Sequence, residues 1–164
     1  MPRRSSRATE PAERIMVGSD EMMLPVTSDA TRGSLLAAEV RLPAGGGPPA
    51  MHRHDPEEIY RVERGALAIY LEDESGDVQR IPSLAGDVVH IPGGRAHTIR
   101  NESDAAADAY VVFSPGAEIE RFFRSAGALA AAGPVGVDDV LALAQRHGIQ
   151  FTGPVPGTAA GRAG

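Results

Sequence analysis

The chain has 164 residues and a mass of 17.1 kDa, which is enough for one domain with a substantial core and too little for two ordinary ones. Its 22 acidic and 16 basic residues give a formal net charge of -6, which argues against a nucleic-acid or anionic-membrane partner. Because the sequence contains neither Cys nor Lys, disulfides, thiolate ligands, a Cys nucleophile and Schiff-base chemistry are all excluded.

The two ends of the chain differ in composition from the middle. Residues 1–14 combine Arg with Pro and Ser and predict a flexible N-terminal arm, and residues 152–164, rich in Gly, Pro and Ala, predict a flexible tail. No apolar run approaches the ~20 residues of a membrane helix. We therefore expect no membrane association and a cytoplasmic location.

Between residues 15 and 116 the sequence predicts a β-domain. Short runs alternate apolar and polar side chains and are separated by Gly, Pro and Asp, which is typical of strands and turns. The strand candidates are 36–42, 57–62, 66–72, 87–91, 96–100 and 108–113. Many short strands at this spacing predict a β-sandwich or barrel rather than alternating strands and helices.

The period of the pattern changes after residue 116. Residues 117–126 place Ile119, Phe122 and Phe123 on one helical face, which indicates packing. Residues 138–147 begin at an Asp and are followed by Gly148, a typical helix end. We therefore expect a helical extension over 117–151 that covers part of the barrel.

Two histidines and a glutamate share one face near the middle of the chain. In an extended chain alternate side chains point the same way, so His52, His54 and Glu58 face together, whereas Glu57 faces the opposite way. A carboxylate inside a barrel is costly unless it is paired or coordinated. The pattern indicates half of a metal site, in which Glu58 rather than Glu57 is the ligand.

A third histidine follows about forty residues later, after a Pro-Gly-Gly turn. The turn at 92–94 can return the chain so that His97 lies beside the first group, with Ile99 on the same face. His90 and His147 are interpreted as outside the ligand set, the second of them as a favourable cation in the last turn of a helix.

These residues resemble the two sequence motifs of the cupin superfamily, and in particular its small single-domain, metal-binding members. The first motif, G-x5-H-x-H-x3-E-x6-G, is matched by Gly46, His52, His54, Glu58 and Gly65. The second, G-x5-P-x-G-x2-H-x3-N, is matched by Gly86, Pro92, Gly94, His97 and Asn101. Residues 144–151 also resemble the C-terminal tail of quercetinase-like small cupins.

The resemblance implies an all-β, double-stranded β-helix (jelly-roll) barrel with short C-terminal α-helices. It also implies one divalent metal ion held by His52, His54, Glu58 and His97, with coordination positions left open for a substrate. Nitrogen and oxygen ligands suit iron, nickel, manganese, zinc or copper, and the sequence does not select among these metals.

Three functions use such a site. The first is a dioxygenase-type enzyme acting on a small chelating enol, aromatic or polyketide-like substrate, in which Glu58 is catalytic and accepts a substrate proton. The second is a non-redox cyclase or isomerase, in which the ion only polarises a carbonyl. The third is a ligand-binding cupin without turnover.

By alternation, Tyr60, Val62, Ile69 and Ile99 are expected to line the substrate pocket. This lining favours an apolar small molecule as the ligand. Recognition of a phosphate would depend on Arg95 near the mouth of the barrel. Arg95 and Arg100 are otherwise interpreted as solvated surface groups. We predict a homodimer, because open strand edges are commonly covered by a partner and because similar small cupins are often homodimers.

Overall fold

The structure is a computed structural model and describes residues 13–157. Most of the predicted N-terminal arm and the last seven residues of the predicted tail lie outside this range. Within it, β-strands form the first three quarters of the chain and helices follow. The strands are β1 (Arg14–Val17), β2 (Asp20–Val26), β3 (Leu36–Leu42), β4 (Ala50–Arg53), β5 (Glu57–Arg64), β6 (Ala66–Glu72), β7 (Val78–Leu84), β8 (Val88–Ile91), β9 (His97–Arg100), β10 (Ala107–Ser114) and β11 (Gln150–Pro154). The helices are α1 (Ala117–Ala132), α2 (Val137–Arg146) and a single 3-10 turn at Asp29–Thr31.

The strands form two antiparallel sheets. One has six strands in the order β1-β2-β3-β10-β5-β8, and the other has five in the order β11-β4-β9-β6-β7. Neighbours in the sheets are often distant in the chain, as expected for the long connections of a jelly roll. The predicted fold class, an all-β jelly-roll barrel with two short helices, is confirmed.

The core lies between the two sheets and is built from the inward side chains of both. Leu36, Val62, Ile69 and Val111 are each at most 1% exposed. They belong to one continuous cluster, which α1 extends through Ile119 and Phe123. The Phe123 ring meets the Phe113 ring edge-on with centroids 5.6 Å apart, so α1 is fixed to the barrel by aromatic packing.

The segment from β4 to β5 alternates as the sequence predicts. Along it every second side chain is buried, and the exposed ones between are Arg53, Asp55, Glu57 and Ile59. Met51 faces outward yet is only 3% exposed, because a second apolar cluster with Tyr70, Ala96 and Val155 covers this part of the outer surface.

The Asn of the second motif holds turns together. Asn101 is 1% exposed, and its Nδ2 donates to the carbonyl oxygens of Leu42, Pro43 and Ala105 while its Oδ1 accepts from Ser103. Because the Asn101 amide is buried and both its nitrogen and its oxygen are hydrogen-bonded, it fixes the end of β3 relative to β9. The role of this motif residue is therefore structural.

Several element boundaries differ from the predictions. β1 begins at Arg14, one residue inside the predicted arm, and β11 continues to Pro154, beyond residue 152 where the tail was expected. β11 pairs with β4, and β1 pairs with β2. Each boundary is set by pairing with another strand that is either distant in the chain or shows little alternation. Alternation within the segment itself therefore does not predict it. Within residues 13–157 no helix is long and apolar enough to span a membrane.

Candidate metal centre

Three imidazoles converge at one place between the sheets. His52 lies on β4, His54 directly follows that strand, and His97 is the first residue of β9. β4 and β9 are antiparallel neighbours, and their register sets His52 opposite His97. The potential ligand nitrogens of the three residues all lie within 4.8 Å of one another. The cluster could therefore hold a metal ion.

Each imidazole is oriented by a backbone carbonyl two residues away in the chain. The Nδ1 atoms of His52, His54 and His97 lie 3.2, 3.0 and 2.9 Å from the carbonyl oxygens of Ala50, Pro56 and Arg95. Because a carbonyl oxygen only accepts, each neutral ring carries its hydrogen on Nδ1 and leaves the Nε2 lone pair unprotonated. This arrangement fixes both the tautomer and the ring orientation that a metal ligand requires.

Glu58 reaches the same place from β5. Its Oε1 lies 2.6 Å from the Nε2 of His54 and 3.1 Å from the Nε2 of His97. The Glu58 side chain is 2% exposed, and its Oε2 has no hydrogen-bond partner among the residues that the structure describes. The fourth predicted ligand is thus within contact distance of two of the three histidines.

The electrostatics of the cluster follow from burial and mutual contact. Burial and the neighbouring His97 lower the pKa of His52 to about 4, so its ring is neutral near pH 7. Burial alone would raise the pKa of Glu58, but the contacts with His54 and His97 outweigh it and hold that pKa well below its usual range. Burial opposes protonation of His97 too, yet the Glu58 carboxylate raises its pKa.

The residues present fit a divalent metal ion. Each close contact between a Glu58 oxygen and an imidazole Nε2 requires a proton or a metal cation between the two atoms, and here two such contacts share one oxygen. The Oε2 of Glu58 is buried without a hydrogen-bond partner among the described residues, which leaves an oxygen acceptor available to a cation. A divalent ion with three nitrogen ligands and one oxygen ligand would satisfy all of these groups together.

The four predicted pocket residues are brought to the same side of the sheets as the cluster, but they are tightly packed. Val62, Ile69 and Ile99 are 1%, 0% and 2% exposed and belong to the main core cluster. Tyr60 is 9% exposed, and burial followed by the negative charge of Glu58 raises its pKa well above the ordinary value. Of the four side chains, Tyr60 is therefore the one that presents a polar group near Glu58, as a neutral phenol.

The remaining histidines lie away from the cluster, as expected. The Nε2 of His90 contacts Glu57 on the outer face at 3.1 Å, and the Nδ1 of His147 contacts Glu118 of α1 at 3.3 Å.

The interpretation of Arg100 as a solvated group is wrong. Its guanidinium donates to the carbonyl oxygens of Gly45 and Gly47, at 2.7 Å each, and closes the loop before β4. Arg95 donates to the carbonyl oxygen of Glu72 at 3.3 Å. It is also paired with Glu74, so it is not a free cation.

One residue at the site was missed by the sequence reasoning. The ring of Phe151 lies on β11, with its centroid 6.3 Å from that of His52. The sequence offers no signal for this contact, because the pairing of β11 with β4 joins residues about a hundred positions apart.

Comparison with known proteins agrees with the barrel and its motifs. Residues 38–113 match the family model described as "Cupin domain". Residues 38–113 are therefore a cupin domain, and the fold is consistent with a small cupin-domain protein.

Individual relatives are distant. The chain is 29% identical over 75 residues to Auxin-binding protein 1 of Arabidopsis thaliana, covering 43% of this chain and 38% of that protein. A predicted oxalate decarboxylase from Thermotoga maritima is 27% identical, with a TM-score of 0.54 over 70% of this chain and 98% of the other. A sugar phosphate isomerase of the cupin superfamily from Silicibacter pomeroyi is 24% identical, with a TM-score of 0.51 over 63% and 71% of the two chains. At this identity the last likeness shows the fold alone.

Proposed function

We propose that this protein is a metal-dependent dioxygenase-type enzyme that acts on a small chelating substrate of the enol, aromatic or polyketide-like class. The observation that carries the proposal is the convergence of three oriented Nε2 atoms and one carboxylate in a buried place. His52, His54, Glu58 and His97 would hold one divalent ion. When bound, the ion supplies Lewis acidity and, for a redox-active metal, electron exchange with dioxygen.

The protein's own residues supply orientation and proton transfer. The three carbonyl contacts keep the imidazoles turned toward the ion site. The lowered pKa of Glu58 keeps it a carboxylate at neutral pH. Because its contacts with His54 and His97 also make it a weak base, Glu58 would accept the proton of a bound enol only after leaving those contacts. Tyr60, whose raised pKa keeps it a phenol, can donate a hydrogen bond to the substrate oxygen.

The neutral phenol of Tyr60 beside the carboxylate of Glu58 favours a second candidate, a non-redox cyclase or isomerase. A hydrogen-bond donor and a proton acceptor at one carbonyl are sufficient for enolisation when the ion acts only as a Lewis acid. This candidate needs neither dioxygen nor a redox-active metal.

Oxygen consumption separates the two candidates. The purified protein, stripped of metal and reloaded with Fe²⁺, Ni²⁺, Mn²⁺, Cu²⁺ or Zn²⁺, is mixed with catechol, a β-diketone or a flavonol under anaerobic conditions and then exposed to oxygen. We expect oxygen uptake with at least one redox-active metal and none with Zn²⁺. Product formation with Zn²⁺ in the absence of oxygen would support the second candidate, and the absence of uptake with every metal and substrate would overturn the first.

We also propose that the protein acts in the cytoplasm as a homodimer. The outward side chains of Ile59 on β5 and Val88 on the edge strand β8 are 46% and 61% exposed, and their strands are neighbours. An exposed apolar face beside an open edge is favourable for contact with a second copy. Sedimentation velocity is expected to show a dimer, which the variant V88R should dissociate. A wild-type monomer at all concentrations would contradict this proposal, and cell fractionation tests the location.

A further inference from the structure

The C-terminal extension contributes a side chain to the metal centre. In the register of the five-stranded sheet, Phe151 of β11 is opposite His52, His52 is opposite His97, and His97 is opposite Leu71 of β6. Opposite residues in antiparallel strands project from the same face. Phe151 is therefore the next member of the row that contains two of the three histidines. It lies outside residues 38–113, which form the cupin domain proper.

The ring of Phe151 lies beside the ring of His52. Its plane is inclined at 61° to that of His52, an edge-on arrangement, and the side chain is half-buried. His52 is the most exposed of the three histidines, at 9%. A ligand at the ion site that extends past His52 on this side would therefore contact the Phe151 ring.

The backbone around Phe151 is held firmly on both sides. Ile149 is 6% exposed in the main core, and Val155 is 2% exposed in the second apolar cluster. Arg53 Nε donates to Gln150 Oε1 at 3.0 Å. The register of β11 shifts between Phe151 and Gly153, and such a bulge re-aims the neighbouring side chains. The ring is thus presented by an anchored strand.

We propose that Phe151 is the substrate-specificity wall of the metal centre and selects planar, aromatic chelating ligands over aliphatic ones. This inference rests on the proposed function, because it requires an ion at the histidine cluster. Aromatic rings attract one another when offset or edge-to-face with centroids 4.5–7 Å apart. The Phe151 ring is 6.3 Å from the His52 ring between centroids, so it is placed to attract an aromatic chelator bound beside His52, whereas an aliphatic chelator would gain little from it.

The test uses Co²⁺-loaded full-length protein with catechol as the aromatic probe and oxalate as the aliphatic one, both measured by isothermal titration calorimetry. In F151A we expect the Kd for catechol to rise about three- to tenfold, with the Kd for oxalate and for Co²⁺ changed less than about twofold. F151L retains the bulk without the ring and should show the same selective loss. F122L is the matched control, because Phe122 lies on α1 and contacts Phe123 and His147 instead of His52.

The outcomes separate the two proposals. Equal changes for catechol and oxalate in F151L, or no change for either, would show that Phe151 only packs and would overturn the specificity wall. Failure of the wild-type protein to bind Co²⁺ would overturn the metal centre itself, and the wall with it. If F151A does not fold, F151L carries the comparison.

Discussion

Two glutamate–histidine contacts lie on opposite faces of β5, one inside the barrel and one on its outer surface. They show how burial changes the strength of the same contact. Glu58 contacts His97 and Glu57 contacts His90, both with 3.1 Å between carboxylate oxygen and Nε2. The inner pair is 2% and 1% exposed, whereas the outer pair is 62% and 52% exposed. Charges attract weakly in water and strongly where water is excluded, so equal distances carry different energies. The comparison teaches that burial, rather than residue type or distance, distinguishes the candidate site from a surface ion pair.

Glutamine substitution of the two adjacent glutamates is the sharpest test of this comparison. E58Q removes the charged ligand atom and is expected to weaken Co²⁺ binding at least about 100-fold, because even residues that only orient a ligand commonly contribute 10- to 100-fold. E57Q on the outer face should change the affinity less than about twofold. Calorimetric titration of metal-free protein measures both, and equal effects would contradict the assignment of Glu58 as the ligand.

The loop before β4 contains two glycines that differ in the same way, because Gly47 is tightly packed and Gly45 is open to solvent. Both have positive φ, 102° at Gly47 and 74° at Gly45. A Cβ at Gly47 would overlap the carbonyl oxygen of Ile99, while one at Gly45 would meet nothing within 4 Å. We expect G47A to lower the free energy of unfolding by about 2–3 kcal/mol and G45A by about 1 kcal/mol. Urea denaturation compares them, and equal losses would show that the loop does not pack on β9.

The contrast extends to α1, where Glu120 is buried and Glu118 is exposed. Glu120 Oε2 accepts the Ser28 N–H at 2.6 Å, and its Oε1 pairs with Arg124 at 2.7 Å. Burial alone would raise the pKa of Glu120, but these contacts outweigh it and lower that pKa. E120Q is therefore expected to cost about 1–2 kcal/mol at pH 7, and E118Q less than about 0.5 kcal/mol.

The pH dependence of this cost has a definite sign. Since the folded-state pKa of Glu120 is lowered, its carboxylate stabilises the fold above its ordinary pKa of 4.5 and loses that contribution as the pH falls toward the folded-state value. The difference between wild type and E120Q should shrink in urea denaturation at acidic pH. A difference that grows on acidification would contradict the assigned contacts.

The smallest effect is expected at His90, in the exposed Glu57–His90 pair on the outer face of β5. In the monomeric V88R variant, H90Q removes a contact that both water and salt screen, so the free energy of unfolding should change by less than about 0.5 kcal/mol, and any change should disappear in concentrated NaCl. Denaturation at low and high salt measures it. A larger, salt-insensitive loss in this variant would contradict the assignment of the Glu57–His90 contact as an exposed ion pair.

Much of the fold could be predicted because its signals are local. Strict alternation between 57 and 62 gave β5 and the inward direction of Glu58, and the spacing from Gly86 to Asn101 predicted the turn before β9. Alternation likewise predicted that His52 and His54 face inward, the Pro-Gly-Gly turn placed His97 beside them, and the structure brings the three together. Their role as metal ligands, and that of Glu58, stays a prediction.

Other features could not be read from local patterns. The chain from 150 to 154 is rich in turn formers, and it becomes a strand because the edge of β4 pairs with it. Arg100 resembles a surface cation in the sequence, but the folded loop places carbonyl oxygens around its guanidinium. In each case the partner lies more than fifty residues away, beyond the range of periodicity.

The sequence by itself determined which side chains face inward, because successive residues of a strand must point to opposite sides. Strand spacing and the resemblance to the two cupin motifs predicted the barrel class and the set of three histidines and one glutamate. Only the tertiary structure decided how close these groups lie, which nitrogens are left unprotonated, how tightly the interior is packed and that Phe151 borders His52. Those properties depend on the register between strands distant in the chain, and register is set by the packing of the whole barrel.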